Sequence, residues 1–320
     1  MKKIKMISLM VALILVLTVV PISASAANTN YTMDDISSKQ IFAKKTFAQE
    51  MDTKLALQME NGNIKEFDED KINTLREQYS FATTDIEKKH YSDELGKYGV
   101  YVFNEYIAEE SNGFSDVILV ANEVAPSATP NAMIGSFPSS DSSDVTLNTP
   151  TVFYDSIVKE WTVTCGGEWK NNNCKPTAYI GTYVGDADAF GVGYTNIQYS
   201  YNTYVKSAYA YIADENGNNR VTTSNRADGD GSKGFGFRLQ DKMLNGSYVG
   251  YRWYGSCTYD VYFSYYCCII TGYYIHTYSS AELGSISFGI QGNTAGVEAT
   301  IENASKSFSA YSSDLKWGNW

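Results

Sequence analysis

The stretch Thr195–Tyr211, TNIQYSYNTYVKSAYAY, decides the fold class. Its odd positions are Thr195, Ile197, Tyr199, Tyr201, Thr203, Val205, Ser207, Tyr209 and Tyr211, and the even ones are mainly Asn, Gln, Ser, Lys and Ala. Side chains of an extended chain alternate between two faces, so one face here is aromatic and the other small and polar. That is the pattern of a β-strand. It recurs at Val249, Tyr251, Trp253, Cys257, Tyr259, Val261, Phe263, Tyr265 and Cys267, interrupted by Gly255-Ser256, which reads as a hairpin turn or a bulge.

Working outward, further strands are expected near Trp161–Cys165, Ala178–Val184, Gly234–Leu239, Ile269–Tyr278, Ser285–Ile290 and Val297–Ile301. Eight or more short strands without helical periodicity make residues 151–320 mainly β, an antiparallel β-sandwich or a related barrel. Twenty of the 26 tyrosines and all five tryptophans lie in this region.

The preceding chain reads differently. Residues 1–27 have the layout of a secretory signal: Lys2, Lys3 and Lys5, an apolar run from Met6 to Val20, then Ala24-Ser25-Ala26. About fifteen apolar residues fall short of a bilayer span. Residues 28–124 form a small acidic α+β unit. Ile41, Phe42, Phe47, Met51, Leu55 and Met59 predict one amphipathic helix within 35–60, and Ile72, Leu75 and Tyr79 predict another from Asp68 to Tyr79. Two apolar runs, Val100–Ile107 and Asp116–Val124, read as a hairpin through Ser111-Asn112-Gly113. Residues 125–150, with Pro126, Pro130, Pro138 and Pro150 among Ser, Thr and Asp, read as an exposed, flexible linker open to proteolysis. The whole therefore reads as a secreted, extracellular chain whose residues 28–150 are a candidate pro-region.

The net charge is -11, and residues 28–150 hold 10 Lys/Arg against 21 Asp/Glu. An acidic balance argues against nucleic acid, which draws on clustered Lys and Arg. Of the five cysteines, Cys165 and Cys174 form the best local disulfide candidate, because Gly166-Gly167 and Asn171-Asn172-Asn173 could fold the segment back. If the strand from Val249 runs unbroken, Cys257 and Cys267 lie about 30 Å apart on it and cannot pair with each other. With no CxxC and only His90 and His276, a zinc site is not expected.

No catalytic residues are assigned. His276, between Ile275 and Thr277, reads as a structural strand histidine. Asp186 with Asp188, and Asp228 with Asp230, are spaced by two, which suits a divalent cation such as Ca2+ or a hydrolase's acid/base pair, against the plainer reading of solvated turns. Asp214-Glu215-Asn216-Gly217-Asn218 opens like a calcium loop, but Asn219 and Asn225 stand where glycine and glutamate belong. Tyrosines of both parities, Tyr262, Tyr266, Tyr274 and Tyr278, together with Trp317 and Trp320, are the candidate ligand-binding rings, suited to sugar faces or a membrane boundary. The expected function is non-enzymatic recognition of an envelope surface or extracellular glycan. The alternative is a latent toxin or bacteriocin that acts on target membranes after processing.

Overall fold

A computed structural model describes residues 33–104, 144–174, 183–199, 203–227, 231–277, 282–291, 294–302 and 307–315. The signal segment, most of the linker and both C-terminal tryptophans lie outside them. Residues 37–320 make one compact unit; of the other, 1–36, only 33–36 are described.

Helix α1 (Met33–Glu60) buries Lys44, Phe47 and Leu55 and leaves Phe42 and Met59 exposed. It stops where Gly62 turns left-handed at φ 67°, and Asn63 N–H closes back on the Gln58 carbonyl. Helix α2 (Glu69–Phe81) begins at Asp68, whose carboxylate accepts from Lys71 N–H. Helix α3 (Asp85–Gly96) is an addition to the sequence reading. Its start is a capping box: Thr84 accepts from Glu87 N–H while the Glu87 carboxylate accepts from Thr84 N–H.

The fold is mainly β and its sheets are antiparallel. The first sheet runs β1-β2-β3-β10-β5-β6. Its strands are β1 (Val100–Val102), β2 (Val145–Asp155), β3 (Glu160–Trp169), β5 (Val205–Ala213), β6 (Val221–Thr223) and β10 (Arg252–Tyr259). The second runs β14-β11-β4-β7, made of β4 (Asp188–Tyr199), β7 (Gly234–Leu239), β11 (Tyr266–Thr277) and β14 (Ser307–Leu315). Two hairpins stand as separate sheets: β8 (Lys242–Leu244) with β9 (Ser247–Val249), and β12 (Glu282–Gln291) with β13 (Thr294–Glu302). No closed barrel is formed among the described residues.

The core lies between the two large sheets. Val152, Trp161, Val163, Cys165, Trp169, Trp253 and Cys257 from the first meet Phe190, Val192, Tyr194, Phe235, Phe237, Ile270 and Tyr274 from the second. These are alternate positions, as period two requires. Trp253 stacks on Tyr274 across the core at 3.8 Å between centroids and 9° between planes.

The two stretches that revealed the fold class are not single strands. Thr195–Tyr211 is divided between β4 and β5, and Val249–Cys267 among β9, β10, a 3-10 turn (Val261–Tyr265) and β11. Each division carries the chain from one sheet toward another, so Cys257 and Cys267 belong to different sheets. The segment boundaries also shift. β2 starts at Val145, inside the expected linker, with Pro150 at a register irregularity between Asn148 and Thr151. The β1 strand pairs with β2, Val102 opposite Phe153, so the segment that carries the N-terminal helices contributes one strand to the first sheet. The expected second hairpin strand, Asp116–Val124, lies outside the described residues.

Cys165, Cys174 and Cys257 are buried, and no disulfide joins Cys165 to Cys174. The expected disulfide is not formed, because Gly166 and Gly167 continue β3 instead of turning. The strand runs four residues past Cys165, about 13 Å, before the chain bends. Burial pushes the Cys165 and Cys257 thiols up, away from the reactive thiolate.

Candidate functional site

The expected metal pair does not converge. Asp186 is partly exposed, with its carboxylate 3.5 Å from Arg238, whereas Asp188 is fully buried. Asp228 and Asp230 lie outside the described residues. The loop after β5 is a turn, since Asp214 Oδ1 accepts from Asn216 N–H and Asn218 N–H.

What the fold assembles instead is Asp188, Asp241 and His276, none more than 1% exposed at its side chain. Asp188 opens β4, Asp241 follows β7, and His276 closes β11. His276 Nδ1 lies 2.9 and 3.0 Å from the two Asp188 oxygens and 3.9 Å from Asp241 Oδ2. Asp188 also accepts from Tyr274 OH at 2.9 Å and from Thr277 N–H at 3.1 Å, and Tyr274 OH accepts from Trp169 Nε1 at 3.1 Å. On the other side Asp241 accepts from Tyr248 OH at 2.6 Å and from the Gln240 amide at 3.3 Å. Gly185 makes the approach possible at φ 64°, because a Cβ there would lie 2.2 Å from the Thr277 carbonyl.

Donor atoms of these three residues fall within 4.8 Å of one another, a set that could ligate a divalent ion. Yet both oxygens of each carboxylate are already engaged by N–H or O–H groups, so the arrangement holds together as a hydrogen-bond network. A histidine sealed in this way does not meet a substrate. Burial first, and then the like charge of Asp188, hold the Asp241 carboxyl well above the usual carboxylate range.

A raised folded-state pKa gives stability that is present below the ordinary carboxylate pKa and is lost as pH rises through the folded value. The groups that face Asp241 are Asp188, Tyr248, Gln240, Tyr274 and His276. Asp241→Asn cannot ionise, and the Tyr248 hydroxyl can turn to accept from the new amide. The variant should therefore gain stability over wild type as pH rises from about 4, by about 1.4 kcal/mol for each unit by which the carboxyl is raised. Parallel melting curves from pH 4 to 8 check this; a constant offset would contradict it.

The expected ligand-binding rings divide. Tyr262 is 44% exposed on the 3-10 turn, while Tyr274 is buried in the core at 1%, where it stacks on Trp253 and cannot offer a free face. Tyr266 opens β11; Tyr278, Trp317 and Trp320 lie outside the described residues.

The second feature is the β12–β13 hairpin. In register, Ile286 opposes Ala299, Phe288 opposes Val297 and Ile290 opposes Ala295; the positions between pair Ser287 with Glu298, Gly289 with Gly296 and Gln291 with Thr294. One face is thus wholly apolar and the other small and polar, with glutamate its only charged type. These are the strands expected near Ser285–Ile290 and Val297–Ile301, and Gly292 and Asn293 stand between them in the sequence. Both strands run beside β4, and among the described residues no ladder joins them to it. The β4 face turned away from the core is Ala189, Gly191 and Gly193, and its partners on β7 are Arg238, Gly236 and Gly234.

Among the described residues, no helix is long and apolar enough to cross a membrane, which says nothing of strands. No family model matches the chain. No curated protein matches it either. Among solved structures, a chain described as "Pore forming protein" is similar over 52% of this chain and 84% of that one, at 9% identity and a TM-score of 0.25, a likeness too slight to carry function across.

Proposed function

We propose that this is a secreted protein that acts on target membranes, in which the β12–β13 hairpin leaves the body and joins hairpins of other copies in a closed transmembrane barrel. The observation that supports this reading is the hairpin itself. Its strands of 10 and 9 residues match the roughly 9–11 that a membrane-crossing strand needs. The alternation is that of an outer-membrane-type barrel, apolar toward lipid and polar toward the lumen. A lone two-stranded sheet is marginal by itself. Among the described residues β12 and β13 form ladder bonds only with each other, so detachment from β4 breaks no ladder described there. Closure into a barrel would satisfy the edges that an open hairpin cannot leave bare in lipid.

The test is release of a trapped dye from vesicles, followed by single-channel recording. Dye release with stepwise conductance is the expected result once the chain is cut between 104 and 144, and intact vesicles at all concentrations of cut and uncut protein would refute the proposal. The polar face carries Glu282, Glu298 and Glu302 and no Lys or Arg, so the pore should favour cations. Glu298→Gln should shift the reversal potential in a salt gradient toward zero while leaving release intact.

Recognition of an envelope glycan is a second reading, favoured by one exposed aromatic locus. Tyr204 is 58% exposed and Tyr262 44%, and they are linked through Asp260, whose N–H donates to the Tyr204 carbonyl. Release that needs glycan-bearing envelope extract added to the vesicles would show that this locus selects the target surface.

A further inference from the structure

The N-terminal segment 33–104 grips the six-stranded sheet from both faces at one edge. On the inner face, α1 inserts Phe47 among Phe103, Tyr154 and Trp161, with centroids 5.0, 6.3 and 6.2 Å away. On the outer face, α2 lays Tyr79 on Phe153 and Phe81 on Tyr254. Tyr154 and Phe153 are successive residues of β2, so the two helices occupy opposite sides of one strand. Between them β1 covers only the Phe153–Asp155 end of β2.

Two features mark this grip as separable. First, although Phe47, Tyr101 and Phe103 join the main core, Ile72, Leu75, Tyr79, Leu95, Tyr98, Val100 and Val102 form a second core to which, among the described residues, the rest of the chain adds only Phe153. Second, much of the attachment is charged or polar. Glu77 takes two hydrogen bonds from Arg220, at 2.7 and 2.9 Å, and one from Tyr211 OH at 2.9 Å. Arg76 lies 3.9 Å from Asp155, Asp52 pairs with Lys159 at 2.6 Å, and Ser80 bonds Thr164 at 2.9 Å. Polar joints of this kind are common at interfaces whose parts come apart.

The inner arm also reaches the joint between the two large sheets. Lys44 Nζ sits 4.3 Å from the Phe263 ring centroid and Lys45 Nζ 4.1 Å from that of Tyr265. Both rings belong to the 3-10 turn that leads from β10 in one sheet to β11 in the other, and β11 pairs with β4, the strand beside the hairpin.

We infer that residues 33–104 are an autoinhibitory clamp, which holds the turn Val261–Tyr265 and so keeps the hairpin seated until the clamp is detached. The inference rests on the membrane reading for its purpose, but its physical content is separate. To test it, a specific protease site is placed within 105–143 of the full chain, the purified protein is cut, and hydrogen exchange is measured before and after removal of the 33–104 fragment by moderate salt. Glu77→Ala, which removes the partner of Arg220 and Tyr211, should speed loss of the fragment at least tenfold. Loss of the fragment should raise amide exchange in 261–265 and in β12–β13 at least tenfold. Unchanged exchange there after loss, or a fragment that leaves only when the body unfolds, would overturn the clamp. Dye release is scored in parallel: raised exchange without release by either form upholds the clamp and refutes the pore, and equal release by the uncut chain and by the chain freed of the fragment refutes the clamp and upholds the pore.

Discussion

Val297→Arg is expected to abolish dye release from vesicles, whereas Thr300→Arg on the other face of the same strand should retain most of it. Val297 opposes Phe288 within the apolar face, and Thr300 has the parity of Glu298 and Glu302. An arginine facing lipid near the bilayer midplane costs about 2–4 kcal/mol, and in a closed assembly every copy bears that cost. A lumen-facing arginine stays in water, so its effect should be on ion preference, from cation toward anion. Melting curves of the soluble variants guard against a trivial loss of fold. If Val297→Arg unfolds the soluble form, Ala299→Arg on the same face serves in its place. Equal release by wild type and both variants would show that this hairpin does not cross the membrane.

Asp188→Ala should be the most damaging single change to the soluble fold. It leaves the Tyr274 hydroxyl, the Thr277 N–H and the His276 ring without the carboxylate that joins them, all in the interior. Breaking one side of such a buried set costs about 3–5 kcal/mol. For a unit of this size that is a fall in Tm on the order of 10 °C. Asp188→Asn keeps an oxygen acceptor and should recover part of the loss. If Asp188→Ala melted like wild type, the network would be incidental to the fold. Taken with Asp241→Asn, the pair separates two effects at adjacent carboxylates: Asp188 holds the network together, while Asp241 adds a charge that the interior resists.

The sequence by itself determined most of the strands between Trp161 and Ile301, because period two survives in any window long enough to show it; β2 and β14 are not among those it marked, and Ala178–Val184 lies mostly outside the described residues. It likewise determined α1 and α2 through apolar spacing and the Asp68 cap. It held the signal for α3, since Thr84 and Glu87 stand three apart, and for the β12–β13 hairpin, whose alternation flanks Gly292-Asn293 on both sides. The two hairpin strands are among those expected from the alternation, whereas α3 could have been read from local pattern alone.

Tertiary structure alone decided which strands share a sheet. A strand's parity says which residues face together but not where the chain leaves one sheet for the other, so Thr195–Tyr211 and Val249–Cys267 looked continuous. Burial also separated Asp188 from Asp186, although their spacing suited a shared ion, and it turned Tyr274 from a candidate binding ring into a core residue. The Asp188–Asp241–His276 network joins positions 53 and 35 residues apart, from three places in the chain, and no local rule links them. The clamp was hidden for the same reason: Phe47, Arg76 and Glu77 are ordinary helix residues until β2 passes between their helices. Local periodicity is set by backbone geometry and can be read along the chain, whereas these partnerships arise only when distant segments exclude water from one another.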